Sequence, residues 1–364
     1  MVGDRSRVRD RDRTRQFAGE LAEAGADPGL HGHRVPVRGM GWIGELRERH
    51  QERAAAALRP YLLGERVEQR QDPMAGMRPA GQGCGVEPLP VETAGALHVR
   101  ADEVRALAES GEPVRGLVRG GRENALPEGV EAVAGDLNQP ASLRAALRGV
   151  SGVFLLPGYQ DMAGVLEEIG RSGAQRVVLL SGSSAADGDM SNAITRYMIV
   201  SENAVRDSGL PWTILRPSGF ASNALQWVPQ LRTGDRVRAP FGGVKVTVID
   251  PYDIAAVVAR ALTSAGHEGR TYRLTGPEPT LPADRVQVLG SVLGRDLRFE
   301  AQPDAEARAE MSAAMPAEYV DAFFSFYADG TLDESVVLPT VLEVTGKPPR
   351  TFQQWASAHA GAFR

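Results

Sequence analysis

GVFLLPGYQDMAGVLEEIGRSGAQRVVLLSG, residues 152–182, decides the fold. A short apolar run, GVFLLP, leads into the helical stretch MAGVLEEIGRSG, and a second apolar run, RVVLLSG, follows. The same alternation extends both ways. Upstream stand a helical ADEVRALAESG, an apolar VRGLV, then VEAVAGD and the helical PASLRAALRG; downstream come a helical AITRYMIVSENAVRDSG and the strand-like WTILRP. Short apolar strands separated by helices of about ten to fifteen residues are the mark of a parallel α/β sheet. Strands this uniformly apolar need cover on both faces, which predicts a doubly wound sheet.

The whole chain sets the bounds. Its 364 residues hold one large domain or two ordinary ones, and a hydrophobic fraction of 42% suffices for a substantial core. A formal net charge of −5 argues against nucleic-acid binding by bulk electrostatics. Cys84 is the only cysteine, which excludes an internal disulfide and a cysteine-based metal cluster. No apolar run approaches the roughly 18 residues needed to span a bilayer. The amino terminus lacks the apolar core of a secretory signal. A cytoplasmic protein without membrane or nucleic-acid partners is the expectation. Lys245 and Lys347 are the only lysines, so the positive charge is almost all arginine.

Residues 1–85 differ in texture. DRSRVRDRDRTR alternates charges with no apolar face and reads as a solvated arm. Residues 45–63 have helix-forming composition, and residues 71–90 are a Gly/Pro-rich linker. GMGWIG at 39–44 is a literal G-x-G-x-x-G, but the HRVPVR before it is charged and broken by Pro36, so it lacks the buried strand that a dinucleotide site requires. The expected organisation is an irregular extension over 1–85 and a binding domain over 86–364, with about 220–364 forming a smaller substrate-side subdomain.

Five segments, VRGLVR (114–119), GDLNQPASLRAALRGV (135–150), SGLPWTILRPSGFASN (208–223), VIDPYDIAAVV (248–258) and RTYRLTGPE (270–278), occur in an order and spacing that resemble the NmrA-like family of atypical short-chain dehydrogenases/reductases. The resemblance implies a Rossmann-like fold that binds NAD(P)H. It implies either a reductase of quinones, azo compounds or similar small carbonyl acceptors, or a non-catalytic redox sensor with a protein partner. Arg119, directly after the second strand, suits the 2′-phosphate of NADP, because the guanidinium fork matches phosphate geometry, and Arg122 stands ready to assist. NADP is therefore the expected cofactor, with NAD as the second choice. The resemblance puts Asp136 and Leu137 beside the adenine; Asp136 alternatively caps the helix starting near Pro140. Leu156, Pro157, Ser181 and Gly182 end two strands and should line the ribose and nicotinamide side, since ligands of open α/β sheets sit outside the carboxyl ends of the strands. Pro217 and Phe220 fall where the family places nicotinamide contacts, and Phe220 serves equally well as core packing.

The family's phosphate loop, T-G-A-T-G-x-V-G, aligns on Thr93–Arg100, and its three glycines are replaced by Ala94, Leu97 and Arg100. Those glycines make the tight turn, admit the pyrophosphate and allow close helix–strand packing. EPLPVE before it carries Pro88 and Pro90, unsuited to a central strand. Three readings of this break are open: true divergence with weak cofactor binding, a misread start or reading frame upstream of an ordinary domain, or an unconventional segment within 1–92 that supplies the strand. The abruptness of the change favours the second.

Catalytic signals are thin. In the Tyr-x-x-x-Lys pattern lysine lowers the tyrosine pKa; here Tyr197 is followed by Ser201 in the lysine position, so that activating charge is missing and Tyr197, a weak catalytic candidate, reads mainly as helix packing. Ser181 is the other candidate, while Ser183 and Ser184 lack an evident base. Glu202 reads as a structural ion pair. No metal is expected: His31 and His33 have no third ligand nearby, and His267 and His359 read as exposed. Asp250 with Pro251 should start a helix. Met311, Met315, Tyr319, Phe323, Phe324, Phe326 and Tyr327 form a stripe that is core or a lid over the substrate cleft.

Overall fold

The computed structural model describes residues 61–64, 113–118, 126 and 129–364. The chain divides into two units, 1–53 and 54–364, and every described residue lies in the second. Seven strands form one parallel sheet: β1 (Tyr61–Gly64), β2 (Val114–Val118), β3 (Glu131–Ala134), β4 (Gly152–Leu155), β5 (Arg176–Leu180), β6 (Trp212–Pro217) and β8 (Arg270–Leu274). Their order is β3-β2-β1-β4-β5-β6-β8. The chain winds outward from β1 in one direction, returns to the centre at β4, and winds outward in the other. The reversal between β1 and β4 is the topological switch point at which open sheets of this kind hold their ligands.

The central strand is unexpected. Residues 45–63 read as helix-forming, yet Tyr61–Gly64 pairs with both neighbours, Tyr61 opposite Val114 on one side and Gly152 on the other. Pro60 disfavours helix in the residue before it, and a strand of this length is decided by its cross-strand partners more than by intrinsic preference. A segment from the first 92 residues thus fills the central place, and the sheet reaches upstream of the boundary expected at residue 86. EPLPVE and Thr93–Arg100 lie outside the described residues, as do GMGWIG, His31, His33 and Cys84.

Downstream of residue 113 the apolar runs fall where expected. β4 buries all four of its residues and β5 four of its five, so both faces of the sheet centre are covered. Helices α1 (Met162–Arg171) and α2 (Ala193–Asp207) pack on each other. Asp161 starts the first by accepting the Gly164 amide at 2.8 Å; Asn192 starts the second by accepting those of Ile194 and Thr195. After a four-residue helix α3 (Val228–Leu231), α4 (Pro251–Thr263) lies on β4 and β5, capped as expected by Asp250, which accepts the Tyr252 amide at 3.0 Å. PASLRAALRG makes only a 3-10 turn over Pro140–Arg144. Val153, Leu155, Val165, Ile169, Val178, Leu179, Ile214 and Val257 form the main core.

A second core serves the carboxyl-terminal part. Strands β7 (Arg236–Ala239) and β9 (Arg298–Ala301) pair in parallel beside α5 (Pro282–Leu293), and Trp355 of a later helix is fully buried among Leu289, Phe352 and Phe363. Helices α6 (Asp304–Ala314) and α7 (Ala317–Tyr327), with Met315 between them, carry the Met/aromatic stripe, and Tyr319, Phe324 and Phe326 are buried, Tyr319 and Phe324 in small clusters of their own. A short α8 (Thr340–Thr345) and α9 (Phe352–Ala358) complete the chain. Both histidines of this part are half-buried rather than exposed: His267 Nδ1 lies 2.9 Å from the Tyr272 hydroxyl, and His359 stacks on Trp355. Burial lowers the His267 pKa. Among the described residues no helix is long and apolar enough to cross a membrane.

Candidate functional site

Because all seven strands are parallel, their carboxyl ends share one edge, and that edge gathers the expected site residues. Asp136 and Leu137 follow β3, Leu156 and Pro157 follow β4, Ser181 and Gly182 follow β5, and Pro217 ends β6 with Phe220 just beyond. Arg119 and Arg122 lie outside the described residues. Leu137, Leu156, Ser181 and Pro217 are buried; Asp136, Pro157, Gly182 and Phe220 are half-buried and form the accessible rim. The Asp136 carboxylate accepts the Asn138 amide at 2.9 Å and closes a tight turn. Gln139, not Asp136, stands at the cap of the following 3-10 turn, so the capping role expected of Asp136 is replaced by turn closure. Phe220 packs on the main core and bridges Ile249.

Beneath the rim, Glu202 of α2 is fully buried and carries three partners. Arg216 of β6 forks onto both carboxylate oxygens at 2.8 and 2.7 Å, Arg206 reaches Oε2 at 2.7 Å, and the Ser181 hydroxyl donates to Oε1 at 2.5 Å. Burial opposes the charge, but Arg216 and Ser181 prevail and hold the carboxyl below the ordinary glutamate range. The ion pair expected of Glu202 is present, and it engages the hydroxyl of Ser181.

Tyr197 is buried, and its hydroxyl donates to the Pro157 carbonyl at 2.7 Å. Ser201, in the place of the usual lysine, accepts the Gly158 amide at 3.0 Å and donates to the Tyr197 carbonyl. Both side chains thus brace the turn after β4. Gly158 has φ +85°, and a Cβ there would come within 2.0 Å of the Tyr197 ring. Gly158→Ala combines positive-φ strain with overpacking and should lower stability by about 2–4 kcal/mol, measured by urea denaturation. An unchanged midpoint would mean that the turn and ring do not meet in this way.

A second polar cluster joins distant parts of the chain. Ser183, just past the end of β5, lies 2.5 Å from Glu334 Oε1, and the Tyr327 hydroxyl donates to Oε2 at 3.0 Å. The Gly219 amide also points at this carboxyl group. The Glu334 loop is pinned by its own carbonyl, which accepts both the amide and the hydroxyl of Thr247 at 2.8 Å. Burial pushes the Glu334 carboxyl up and raises the Tyr327 phenol well above its usual value. Arg285, nearby on α5, is depressed to about 10 by burial, and its Nη1 has no hydrogen-bond partner. Ser183 therefore has the acidic partner that sequence reading did not find. The partner sits 151 residues away, and the only local signal was an acidic residue in TLDESVVLP.

A doubly wound parallel sheet with its ligand edge at the β1/β4 switch defines the dinucleotide-binding class of α/β proteins. Residues 102–265 match a family described as NAD(P)H-binding. The chain is 41% identical over 276 residues to a (4-alkanoyl-5-oxo-2,5-dihydrofuran-3-yl)methyl phosphate reductase of Streptomyces griseus, covering 75% of this chain and 94% of that protein. It is 36% identical over 274 residues to an NAD(P)H azoreductase of Xenophilus azovorans, covering 73% and 96%. Among solved structures, the NADPH-dependent quinone oxidoreductase of Escherichia coli shares the fold at a TM-score of 0.59 and 22% identity, covering 71% of this chain and 95% of that one. The Citrobacter triphenylmethane reductase bound to NADP(H) does so at 0.59 and 20%, covering 73% and 98%. The chain belongs to the NAD(P)H-binding, NmrA-like family of atypical short-chain dehydrogenases/reductases.

Proposed function

We propose that this protein is an NADPH-preferring reductase that delivers hydride to a small, flat, conjugated acceptor such as a quinone, an azo compound or an unsaturated carbonyl compound. One observation carries the reading: the carboxyl edge of the sheet belongs to a chain similar, along nearly their whole lengths, to two proteins named as reductases. The residues present fit a dinucleotide. Gly182 adds no side chain at the end of β5, apolar side chains of Leu156, Pro157 and Phe220 flank the strand ends, and the buried Glu202 is neutralised by arginine.

In this reading Asp136 and Leu137 flank the adenine, and Arg119 holds the 2′-phosphate. Leu156, Pro157, Ser181 and Gly182 line the ribose side, while Pro217 and Phe220 back the nicotinamide. When bound, NADPH supplies the hydride; the chain supplies position and a dry, apolar wall. Small-molecule acceptors are the partners.

A non-catalytic sensor that binds the dinucleotide and reports to a protein partner is the second reading, favoured by the engagement of Tyr197 with Pro157. Fluorescence titration with NADPH and NADH, followed by turnover with a quinone and an azo dye, separates the two. The expected result is tighter binding of NADPH, a preference lost in Arg119→Ala, and acceptor-dependent oxidation. Binding without oxidation under any acceptor selects the sensor; no binding of either nucleotide overturns both.

A further inference from the structure

We infer that Ser183 and Glu334 form the proton relay of this site, Ser183 delivering the proton to the reduced acceptor and Glu334 replenishing it. The inference rests on the reductase reading above and supplies what that reading lacks. Hydride transfer to a conjugated acceptor leaves negative charge on an oxygen or nitrogen, which must be protonated. Tyr197 is turned to the Pro157 carbonyl and Ser201 to the Gly158 amide, so the pair that would ordinarily carry this proton is engaged in holding a turn.

Ser183 stands one residue past Gly182, and its hydroxyl donates at 2.5 Å to Oε1 of Glu334, a carboxyl group at 7% exposure. The groups facing Glu334 come from five elements. Tyr327 of α7 and the Gly219 amide after β6 hydrogen-bond it, Arg273 of β8 and Arg285 of α5 act through charge, and the Ser183 hydroxyl after β5 donates to Oε1. Desolvation outweighs the charge and the hydrogen bonds, so the carboxyl keeps its proton above the ordinary glutamate range.

The steps balance. The hydride's electron pair forms the new bond to the acceptor, and the acceptor's π electrons move onto its oxygen or nitrogen. When Glu334 carries its proton on Oε1, the same short contact runs from Oε1 to Ser183 Oγ and frees the Ser183 hydroxyl to donate. The acceptor atom takes the Ser183 hydroxyl proton, Ser183 Oγ takes the proton from Glu334 Oε1, and Glu334 remains as a carboxylate held by Tyr327 and Gly219. Water restores the proton once the product leaves.

The test uses the full chain, as wild type, Glu334→Gln and Ser183→Ala. Without nucleotide, infrared difference spectra across a pH titration should show a protonated-carboxyl band that persists above the ordinary carboxylate range and is missing in Glu334→Gln; Asp253, also raised, contributes a band common to both. With NADPH and a quinone, kcat of the wild type should fall as the pH rises through the Glu334 pKa. Both variants should lose roughly 10²-fold at the acid plateau, and Glu334→Gln should lose the pH dependence, with nucleotide affinity unchanged. Infrared spectra identical in wild type and Glu334→Gln, or turnover by Glu334→Gln equal to wild type at every pH, would overturn this inference alone. Nucleotide binding by the wild type with no acceptor reduced would remove the reductase reading and the relay together.

Discussion

Replacing Glu202 with alanine is expected to cost roughly 3–5 kcal/mol of folding stability at pH 7, because it strips the counter-charge from arginines that cannot all reach water. Arg206 is about one-third exposed, lies over the Trp212 ring, and has room to turn outward. Arg216 does not: its side chain is 16% exposed and is anchored in β6, next to a fully buried carboxylate. Removing the glutamate leaves that guanidinium desolvated and the Ser181 hydroxyl without its acceptor, so the damage reaches the ligand edge at β5. The sign with pH follows from the lowered pKa of Glu202. A depressed folded-state pKa gives stability that is present above the unfolded value of about 4 and lost as pH falls through the folded value. The gap between wild type and Glu202→Ala should therefore be full at pH 7 and shrink in acid. Urea midpoints at pH 7 and pH 3 measure it. A loss under about 1 kcal/mol at pH 7 would place Glu202 among the exposed pairs that contribute little.

That knot also shows what a sequence conveys. Glu202 could be assigned an ion pair because the family it resembles often has an acid on that helix, and the strand ends could be lined up along one edge because apolar runs and helix periods are local signals. Asp250 before Pro251 was equally plain, since a cap and its helix are adjacent in the chain. Arg216 as the partner of Glu202 was not visible, and neither was Glu334 as the partner of Ser183. Those contacts join residues 14 and 151 positions apart, and only the folded topology sets them side by side. Tyr61–Gly64 was missed for a related reason. Four residues carry too little periodicity to declare a strand, and their identity depends on pairing with Val114 and Gly152 far downstream. The two histidines differ: each is covered by a near neighbour, His267 by a tyrosine five residues on and His359 by the Trp355 ring four residues back, and it is the ring orientation, not chain distance, that only the fold shows.

Asp253→Asn is expected to stabilise the protein at pH 8 by on the order of 3 kcal/mol, while leaving it nearly unchanged at pH 4. Asp253 sits in the first turn of α4 at 5% exposure, and its Oδ2 accepts the Arg350 amide at 2.7 Å. Burial pushes its carboxyl up to about 7, with Asp250 adding to the rise and Arg350 opposing it. A pKa raised in the folded state means that the native protein holds the proton more tightly than the unfolded chain, whose aspartate titrates near about 4. Stability is then complete below that value and drains away by up to about 1.4 kcal/mol per pH unit until the folded pKa is passed, after which it is level. Asparagine keeps an oxygen for the Arg350 amide but carries no charge, so its stability should not fall across that window. The consequence is local as well as global. Arg350 also pairs with Asp250 at 3.2 Å and lies over Tyr252, fastening the segment that leads into α9 and the buried Trp355. Raising the pH through 7 should thus loosen the carboxyl-terminal helix before the sheet, seen as faster amide exchange around Trp355 in the wild type than in Asp253→Asn. Parallel stability curves for the two proteins between pH 4 and pH 8 would show that Asp253 titrates as an ordinary aspartate, and that Arg350 and local water solvate its charge well enough to offset burial.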